Sequence, residues 1–161
     1  MRYTKAFGYV LLAVLLVSTV PCGAEAASIK IQPHQFKPVD PSDPNTYQEP
    51  AHLYSDPLPG GDGQAQYYAV VNVPVGRRIT KVVLYHRGAG SQTVLLLDRV
   101  QTGQNYQDMA TLITTENTSD NVVPVVTTTI DHPLVRAGYT YYVRVVLYSG
   151  NYVHGVKVKY Q

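Results

Sequence analysis

The feature that most constrains this chain is a run of short segments, rich in valine and tyrosine, that begins at residue 65. Turn signals containing glycine, proline or asparagine separate these segments about every 8 to 15 residues. Several segments alternate apolar and polar residues with the period of a strand that has one buried face. The predicted strands are 66–73, 79–87, 93–100, 109–115, 122–131, 139–148 and 152–160.

An eighth strand is predicted upstream, where Ile29 and Ile31 alternate with polar residues. No segment carries a convincing apolar stripe at helical spacing. Evenly spaced short strands are typical of a sandwich or barrel. The sequence therefore predicts an all-β fold, a two-sheet antiparallel β-sandwich that is jelly-roll-like and has about eight strands.

Residues 1–26 have the pattern of a cleaved signal peptide. A basic start at Arg2 and Lys5 precedes an apolar run over 10–20, and small residues at Ala24 and Ala26 match a cleavage site. The apolar run is short for a bilayer span, so no transmembrane span is expected in the mature protein. We expect an exported protein, periplasmic or extracellular. The alternative, a lipid anchor on Cys22, is disfavoured by the proline before it.

Two further regions follow the signal. Residues 27–64 contain seven of the 11 prolines, and proline removes a ladder donor, so we expect an extended N-terminal arm. This arm is either a partly ordered lead-in or a segment whose first strand pairs with a sandwich edge. Residues 65–161 form the predicted β-sandwich domain.

Composition excludes several functions. The chain has 13 basic and 11 acidic residues, a formal net charge of +2, and lacks the charge excess usual in nucleic-acid-binding proteins, so no nucleic acid partner is expected. Its single cysteine lies in the predicted signal. No serine-hydrolase elbow and no closely spaced histidine pair occurs. Asp98 and Asp131 are the one carboxylate pair considered for glycoside hydrolysis, and pairing of Asp98 with a neighbouring arginine is the favoured interpretation.

Calcium is the one cofactor that the sequence offers, and only weakly. Oxygen ligands occur in loop segments, at Asp40, Asp43, Asn45 and Asp62, which calcium accepts. Their spacing is not that of an EF-hand, and aspartate and asparagine also form ordinary turns. We therefore expect no cofactor and no metal site.

Two long stretches resemble a known group of proteins. The segment PVGRRITKVVLYHRGAGSQTVLLLDRV and the later AGYTYYVRVVLYSGNYVHGVKVKY are similar to a pattern in uncharacterised exported bacterial β-sandwich proteins. The resemblance covers residues 66–161. It implies a jelly-roll-like fold and export, and it implies no activity.

The C-terminal stretch 138–161 holds six of the 14 tyrosines. A two-residue turn at Gly150 and Asn151 predicts a hairpin in which Val145 lies opposite Val156 and Arg144 opposite Lys157. Tyr139, Tyr141 and Tyr160 would then be core residues. The residues left for a ligand on the outer side and at the turn are Tyr142, Arg144, Tyr148, Tyr152, Lys157 and Lys159.

These residues favour a non-catalytic binding module that contacts a carbohydrate or another surface ligand, or acts in adhesion. The alternative is a structural subunit that forms homo-oligomers or docks on a protein partner through strand edges and its arm, since few charges oppose association. A hydrolase is a third, weaker alternative because no catalytic constellation is visible. We expect that the protein is not an enzyme.

The predicted signal can be checked on the exported protein. Cleavage after Ala26 leaves Ala27 as the first residue, and the intact mass should equal that of residues 27–161. A lipid anchor would instead leave Cys22 at the N-terminus with the added mass of its acyl chains, which would contradict the prediction.

Overall fold

The computed structural model describes residues 26–42, 46–49, 51–55, 64–88, 92–114, 121–148 and 150–161. These ranges contain a 3₁₀ turn, Pro33–Gln35, and eleven strands. The strands are β1 (Ala27–Ile31), β2 (Lys37–Pro38), β3 (Thr46–Gln48), β4 (Leu53–Ser55), β5 (Ala65–Val70), β6 (Ile79–Gly88), β7 (Thr93–Gln101), β8 (Gln107–Ile113), β9 (Val123–Thr127), β10 (Tyr139–Leu147) and β11 (Asn151–Tyr160).

The strands form two antiparallel sheets. One sheet has the order β3-β4-β11-β6-β9, with β1 also paired to β11, and the other has the order β2-β5-β10-β7-β8. From β5 onward the chain crosses between the sheets at nearly every connection, and only β7 and β8 are consecutive neighbours there. The predicted jelly-roll-like β-sandwich is confirmed.

All seven predicted strands of residues 66–160 are present within a few residues of their expected limits, and so is the strand around Ile29. The structure has eleven strands rather than about eight. The additional ones are β2, β3 and β4, each of two or three residues. Strands this short contain too few residues to display a period of two, and prolines surround them.

The core lies between the sheets and is formed by the inward side chains of both. In β5, Tyr67 and Ala69 are buried while Gln66 and Val70 are exposed, as the alternation predicts. The same holds in β10, where Val143 and Val145 are fully buried. Burial of each of these two valines contributes about 1.5–3 kcal/mol to folding.

The predicted hairpin between β10 and β11 is wrong. β10 pairs with β5 and β7, whereas β11 pairs with β6 and with β1 and β4. Gly150, at φ 82°, lies in the turn, and the Asn151 N–H donates to the Tyr148 carbonyl, so the turn itself forms. It carries the chain across the sandwich because each strand already has neighbours on both sides.

The inward sets of these two strands were nevertheless correctly predicted. Val143 and Val145 of β10 and Val156 and Val158 of β11 are buried in one core cluster, together with Tyr141. Tyr139 and Tyr160 are partly buried and pack against that cluster. Alternation within a strand therefore identified the buried face even where the pairing partner was wrong.

The described part of the arm belongs to the sandwich. β1 pairs with β11 in the register Ile29 to Val158, and β2 pairs with β5 of the other sheet. The first strand of the arm thus pairs with β11, and the division of the chain into an arm and a sandwich domain stays a prediction. The predicted signal, with Cys22, lies outside the described residues except for Ala26. In the described ranges, no helix has the length and hydrophobicity needed to cross a membrane.

Gly88 offers a test of the crossing at the β10–β11 turn. A Cβ placed on Gly88, which has φ 146°, would lie 2.4 Å from the carbonyl oxygen of Gly150. Gly88→Ala should therefore lower the free energy of unfolding by about 3 kcal/mol in chemical denaturation. Gly103→Ala is the matched control, because Gly103 has φ 79° and no atom near the added Cβ, and it should cost about 1 kcal/mol. Equal losses would contradict the close approach.

Candidate functional site

The six residues predicted to contact a ligand do not form one surface. Tyr142 and Arg144 lie on the outer face of the five-stranded sheet, because their neighbours in β10 point into the core. Tyr152, Lys157 and Lys159 lie on the outer face of the six-stranded sheet. Tyr148 follows β10 and is partly exposed. The predicted opposition of Arg144 and Lys157 is wrong, since the sandwich separates them.

The first surface is the tyrosine face, defined here by Tyr68, Tyr106, Tyr142, Arg144, Asp98 and Asp108. Four strands, β5, β7, β8 and β10, and a loop supply these residues. In the β5–β10–β7 ladder, Tyr68 lies beside Arg144, and Tyr142 lies beside Asp98. Tyr106 comes from the β7–β8 connection. Antiparallel registry thus places an aromatic ring and a charged group next to each other on adjacent strands.

An ion-pair network lies at the centre of this face. The Arg144 Nε donates to Asp98 Oδ2, and Arg144 Nη2 lies 3.5 Å from Asp108 Oδ1. The predicted pairing of Asp98 with a neighbouring arginine is confirmed. Asp98 has no exposed surface, whereas the side chain of Asp108 is 62% exposed. The buried Asp98 carboxylate therefore holds the Arg144 guanidinium from the side of the sheet, and the Asp108 carboxylate stays open to solvent.

Burial of this network changes its titration. Desolvation raises the pKa of Asp98 above its usual range, and the neighbouring Asp108 carboxyl adds to that rise, although the Arg144 guanidinium opposes it. Asp98 Oδ1 receives no hydrogen bond from any donor of the described residues. The hydrogen bond to Asp98 raises the pKa of Arg144, which therefore stays protonated.

Three tyrosine rings contact one another beside this network, and one of them packs on the guanidinium. The Tyr142 ring meets the rings of Tyr68 and Tyr106 edge-to-face, with centroids 6.2 and 5.7 Å apart. The Arg144 guanidinium carbon lies 5.1 Å from the centroid of Tyr106, a cation–π distance. Tyr106 remains 53% exposed. A shallow hollow of about 170 Å³ adjoins Tyr68 and is lined by Gln35, Lys37, Tyr68, Ala69 and Val70.

The second surface holds the histidine cluster, defined by His52, Tyr54, Arg87, Tyr152 and His154. The His52 ring lies 5.5, 5.2 and 5.8 Å from the rings of Tyr54, Tyr152 and His154. The Arg87 guanidinium carbon lies 4.8 Å from the centroid of Tyr152. These residues meet because β4 and β6 pair with opposite edges of β11.

Protonation of His154 is disfavoured in this cluster. Burial lowers its pKa below the usual value, and the neighbouring His52 and Arg87 lower it further. Its Nε2 atom is buried and has no hydrogen-bond partner among the described residues. His52 Nε2 lies 3.6 Å from Glu49 Oε2.

Within the described ranges, no three histidine, cysteine, aspartate or glutamate side chains form a group that could hold a metal ion. Asp40 accepts hydrogen bonds from the backbone N–H and the hydroxyl of Ser42, which lower its pKa and form an ordinary turn. Asp43, Asn45 and Asp62 lie outside the described residues. Calcium binding stays an untested, weak prediction.

Sequence reasoning missed most of the neighbours of Tyr142 and Arg144. Tyr68 was detectable, because it alternates with the buried Tyr67 and Ala69. Tyr106 and Asp108 were not detectable from the sequence, because their positions depend on the conformation of the β7–β8 connection. His52, Tyr54 and Arg87 likewise approach Tyr152 only through the pairing of β4 and β6 with β11.

No protein-family model matches this chain, and no curated protein matches it in sequence. Several solved structures are similar to it. One is the C-terminal CBM6 of LamC, a marine laminarinase from Zobellia galactanivorans, with TM-score 0.55 and 12% identity, covering 82% of this chain and 98% of that one.

Two others align less well. TmCBM61, solved in complex with β-1,4-galactotriose, has TM-score 0.41 and 12% identity and covers 84% of this chain and 88% of its own. The C-terminal domain of a chitobiase from Bacteroides fragilis has TM-score 0.42 and 15% identity, covering 83% of this chain and 98% of its own. The likeness to the laminarinase module establishes a shared β-sandwich fold.

Through His154, the stability of the protein should depend on pH. Since the folded pKa of His154 lies below its unfolded value of about 6.5, the unfolded chain binds more protons as the pH falls through that value. The stabilisation by neutral His154 is therefore present above about pH 6.5 and is lost on acidification. Denaturation of the wild type and of His154→Gln from pH 8 to pH 5 should give a smaller loss for the variant. Parallel pH profiles would contradict the burial effect.

Proposed function

We propose that this protein is a non-catalytic carbohydrate-binding module whose ligand lies on the tyrosine face. The observation that carries the proposal is a row of three contacting tyrosine rings, one of which packs on a guanidinium that two aspartates hold in place. These side chains are not part of the core between the sheets, because they all lie on the outer side of the five-stranded sheet.

The chemistry of the face suits a sugar. Aromatic rings stack on the apolar C–H face of a pyranose, and tyrosine also offers a hydroxyl at its rim. The Arg144 guanidinium donates hydrogen bonds, and the exposed Asp108 carboxylate accepts them, as sugar hydroxyls require. Because Asp98 fixes Arg144, little side-chain freedom is lost when a ligand binds.

The same geometry favours binding over hydrolysis. Cleavage of a glycosidic bond ordinarily needs two carboxyl groups that flank the substrate. On the tyrosine face, Asp98 is fully buried beneath Arg144 and cannot touch a ligand, so Asp108 is the one described carboxylate available there. The fold shared with the laminarinase CBM6 also supports a binding module.

Export is part of the proposal. The signal-like residues 1–26 would place the domain in the periplasm or outside the cell, where glycans of cell walls or surfaces are its partners. Adhesion would follow if the glycan belongs to another cell.

A structural subunit is the second candidate. β9 lies at an edge of its sheet and leaves Val126 48% exposed, and Val122 just before it is 46% exposed. An unpaired apolar strand edge is a surface on which a second copy can add its own strand. Light scattering at high concentration separates the candidates, because a module that works by glycan binding needs no self-association.

The binding test uses an array of neutral glycans, followed by calorimetric titration of laminarin and of any glycan retained on the array. Tyr142→Ala and Tyr106→Ala should each weaken binding about tenfold, the usual effect of removing a central aromatic contact. Tyr152→Ala, on the opposite face, is the matched control and should bind like the wild type. The proposal is overturned if no neutral glycan binds, or if the control loses as much affinity as the other two.

A further inference from the structure

The outer face of the six-stranded sheet carries a group of lysines that the proposed function does not use. Lys30 of β1 lies opposite Lys157 of β11, and Lys159 of β11 lies opposite Lys81 of β6. The residues that flank them along the strands, such as Val156, Val158 and Val82, are buried in the core. All four lysines therefore point outward, and we call this set the lysine face.

Like charges directly opposite one another on adjacent strands destabilise a sheet. Among the described residues, none of these four lysines forms an ion pair, since the described pairs involve only His52 and Arg144 as their basic members. Lys30 is exposed and the other three are partly exposed. The fold thus tolerates two facing lysine pairs without described acidic partners, and an anion placed between them would remove the repulsion.

The lysine face continues into the histidine cluster. Tyr152, His154, Lys157 and Lys159 follow one another on the outer side of β11, over about 20 Å at the usual rise per residue. On the neighbouring strand β6, Arg87 lies opposite Tyr152 and Lys81 lies opposite Lys159. Rings at one end and cations at the other suit a chain that carries both sugar faces and negative groups.

From this arrangement we infer that the lysine face and the histidine cluster bind an acidic polysaccharide, with carboxylate or sulfate groups seated on Lys30, Lys81, Lys157 and Lys159. This surface is opposite to the tyrosine face, so the inference stands or fails independently of the proposed function.

Two other polyanions fit less well. The exposed large apolar residues described in this sheet, Val122 and Val126, lie in or just before its edge strand β9, and none lies on β1, β6 or β11 among the lysines, so the lysine face itself offers no apolar group to insert into a membrane. The whole chain has a formal net charge of only +2, whereas nucleic-acid-binding domains usually have a strong basic excess. The charge here is local and adjoins aromatic rings, which favours a sugar chain.

The test compares matched polymers that differ only in charge. One pair is polygalacturonate and its fully methyl-esterified form, and the other is dextran sulfate and dextran. The full exported protein should bind the charged member of at least one pair at least tenfold more tightly than the neutral member. Binding should weaken as salt rises from about 0.01 M to about 0.15 M, because the Debye length falls from roughly 30 Å to 8 Å. The pair that binds distinguishes carboxylate from sulfate.

Variants locate the site. Lys157→Gln and Lys159→Gln should each weaken binding about two- to fivefold, and the double variant about tenfold. Lys37→Gln is the matched control, because Lys37 is an exposed lysine of the other sheet, and it should have no effect. The double variant should also unfold at the same temperature as the wild type or a higher one, since it removes charge repulsion.

Several results would overturn the inference. Equal affinity for charged and neutral polymers would remove the role of charge, and an equal loss in Lys37→Gln would remove the role of this face. Duplex DNA that binds as tightly as the polysaccharide, with the same losses in the variants, would mean that the face attracts any polyanion. In each case Tyr106→Ala and Tyr142→Ala still test the tyrosine face separately.

Discussion

The structure depends on burial of the inward side chains of two consecutive strands that belong to different sheets. β10 and β11 are each flanked by neighbours within their own sheet, and both direct valines into the same core cluster. These two strands supply seven of the 24 described buried residues of that cluster, and each fully buried aliphatic side chain contributes about 1.5–3 kcal/mol to folding. Gly88 and Gly150 permit the tight crossing between them, where a Cβ on Gly88 would collide with the backbone.

This crossing decides where the two candidate surfaces lie. A hairpin would have put the outer residues of β10 and β11 side by side on one face. Because the strands face each other across the core, their outer residues point in opposite directions. The protein consequently presents two chemically different surfaces, the tyrosine face with its fixed guanidinium and the lysine face beside the histidine cluster.

The Arg144–Asp98 pair illustrates how a buried charge serves a surface. Taking a carboxylate out of water is costly, and a paired buried charge rarely adds net stability. Asp98 is nevertheless buried on the outer side of a sheet, at a position where an apolar residue would also pack. The gain that accounts for it is positional, because a guanidinium held from below presents its remaining N–H groups in a fixed direction.

The sequence by itself determined the local properties of this protein. The period of two marked Tyr67, Ala69, Val143 and Val158 as core residues, and turn signals located the strands, because both depend only on neighbouring residues. Sequence also predicted an arginine partner for Asp98. It could not decide which strands pair, since the alternation of β10 and β11 is satisfied equally by a hairpin and by a crossing between sheets.

Only the tertiary structure decided that β10 and β11 separate, and with that the composition of both surfaces. The convergence of Tyr68, Tyr106 and Tyr142, and the pairing of Lys30 with Lys157, join residues far apart along the chain. Such contacts form because each sheet must bury its apolar face while its strands find hydrogen-bonding neighbours. That condition applies to the whole chain rather than to any one segment.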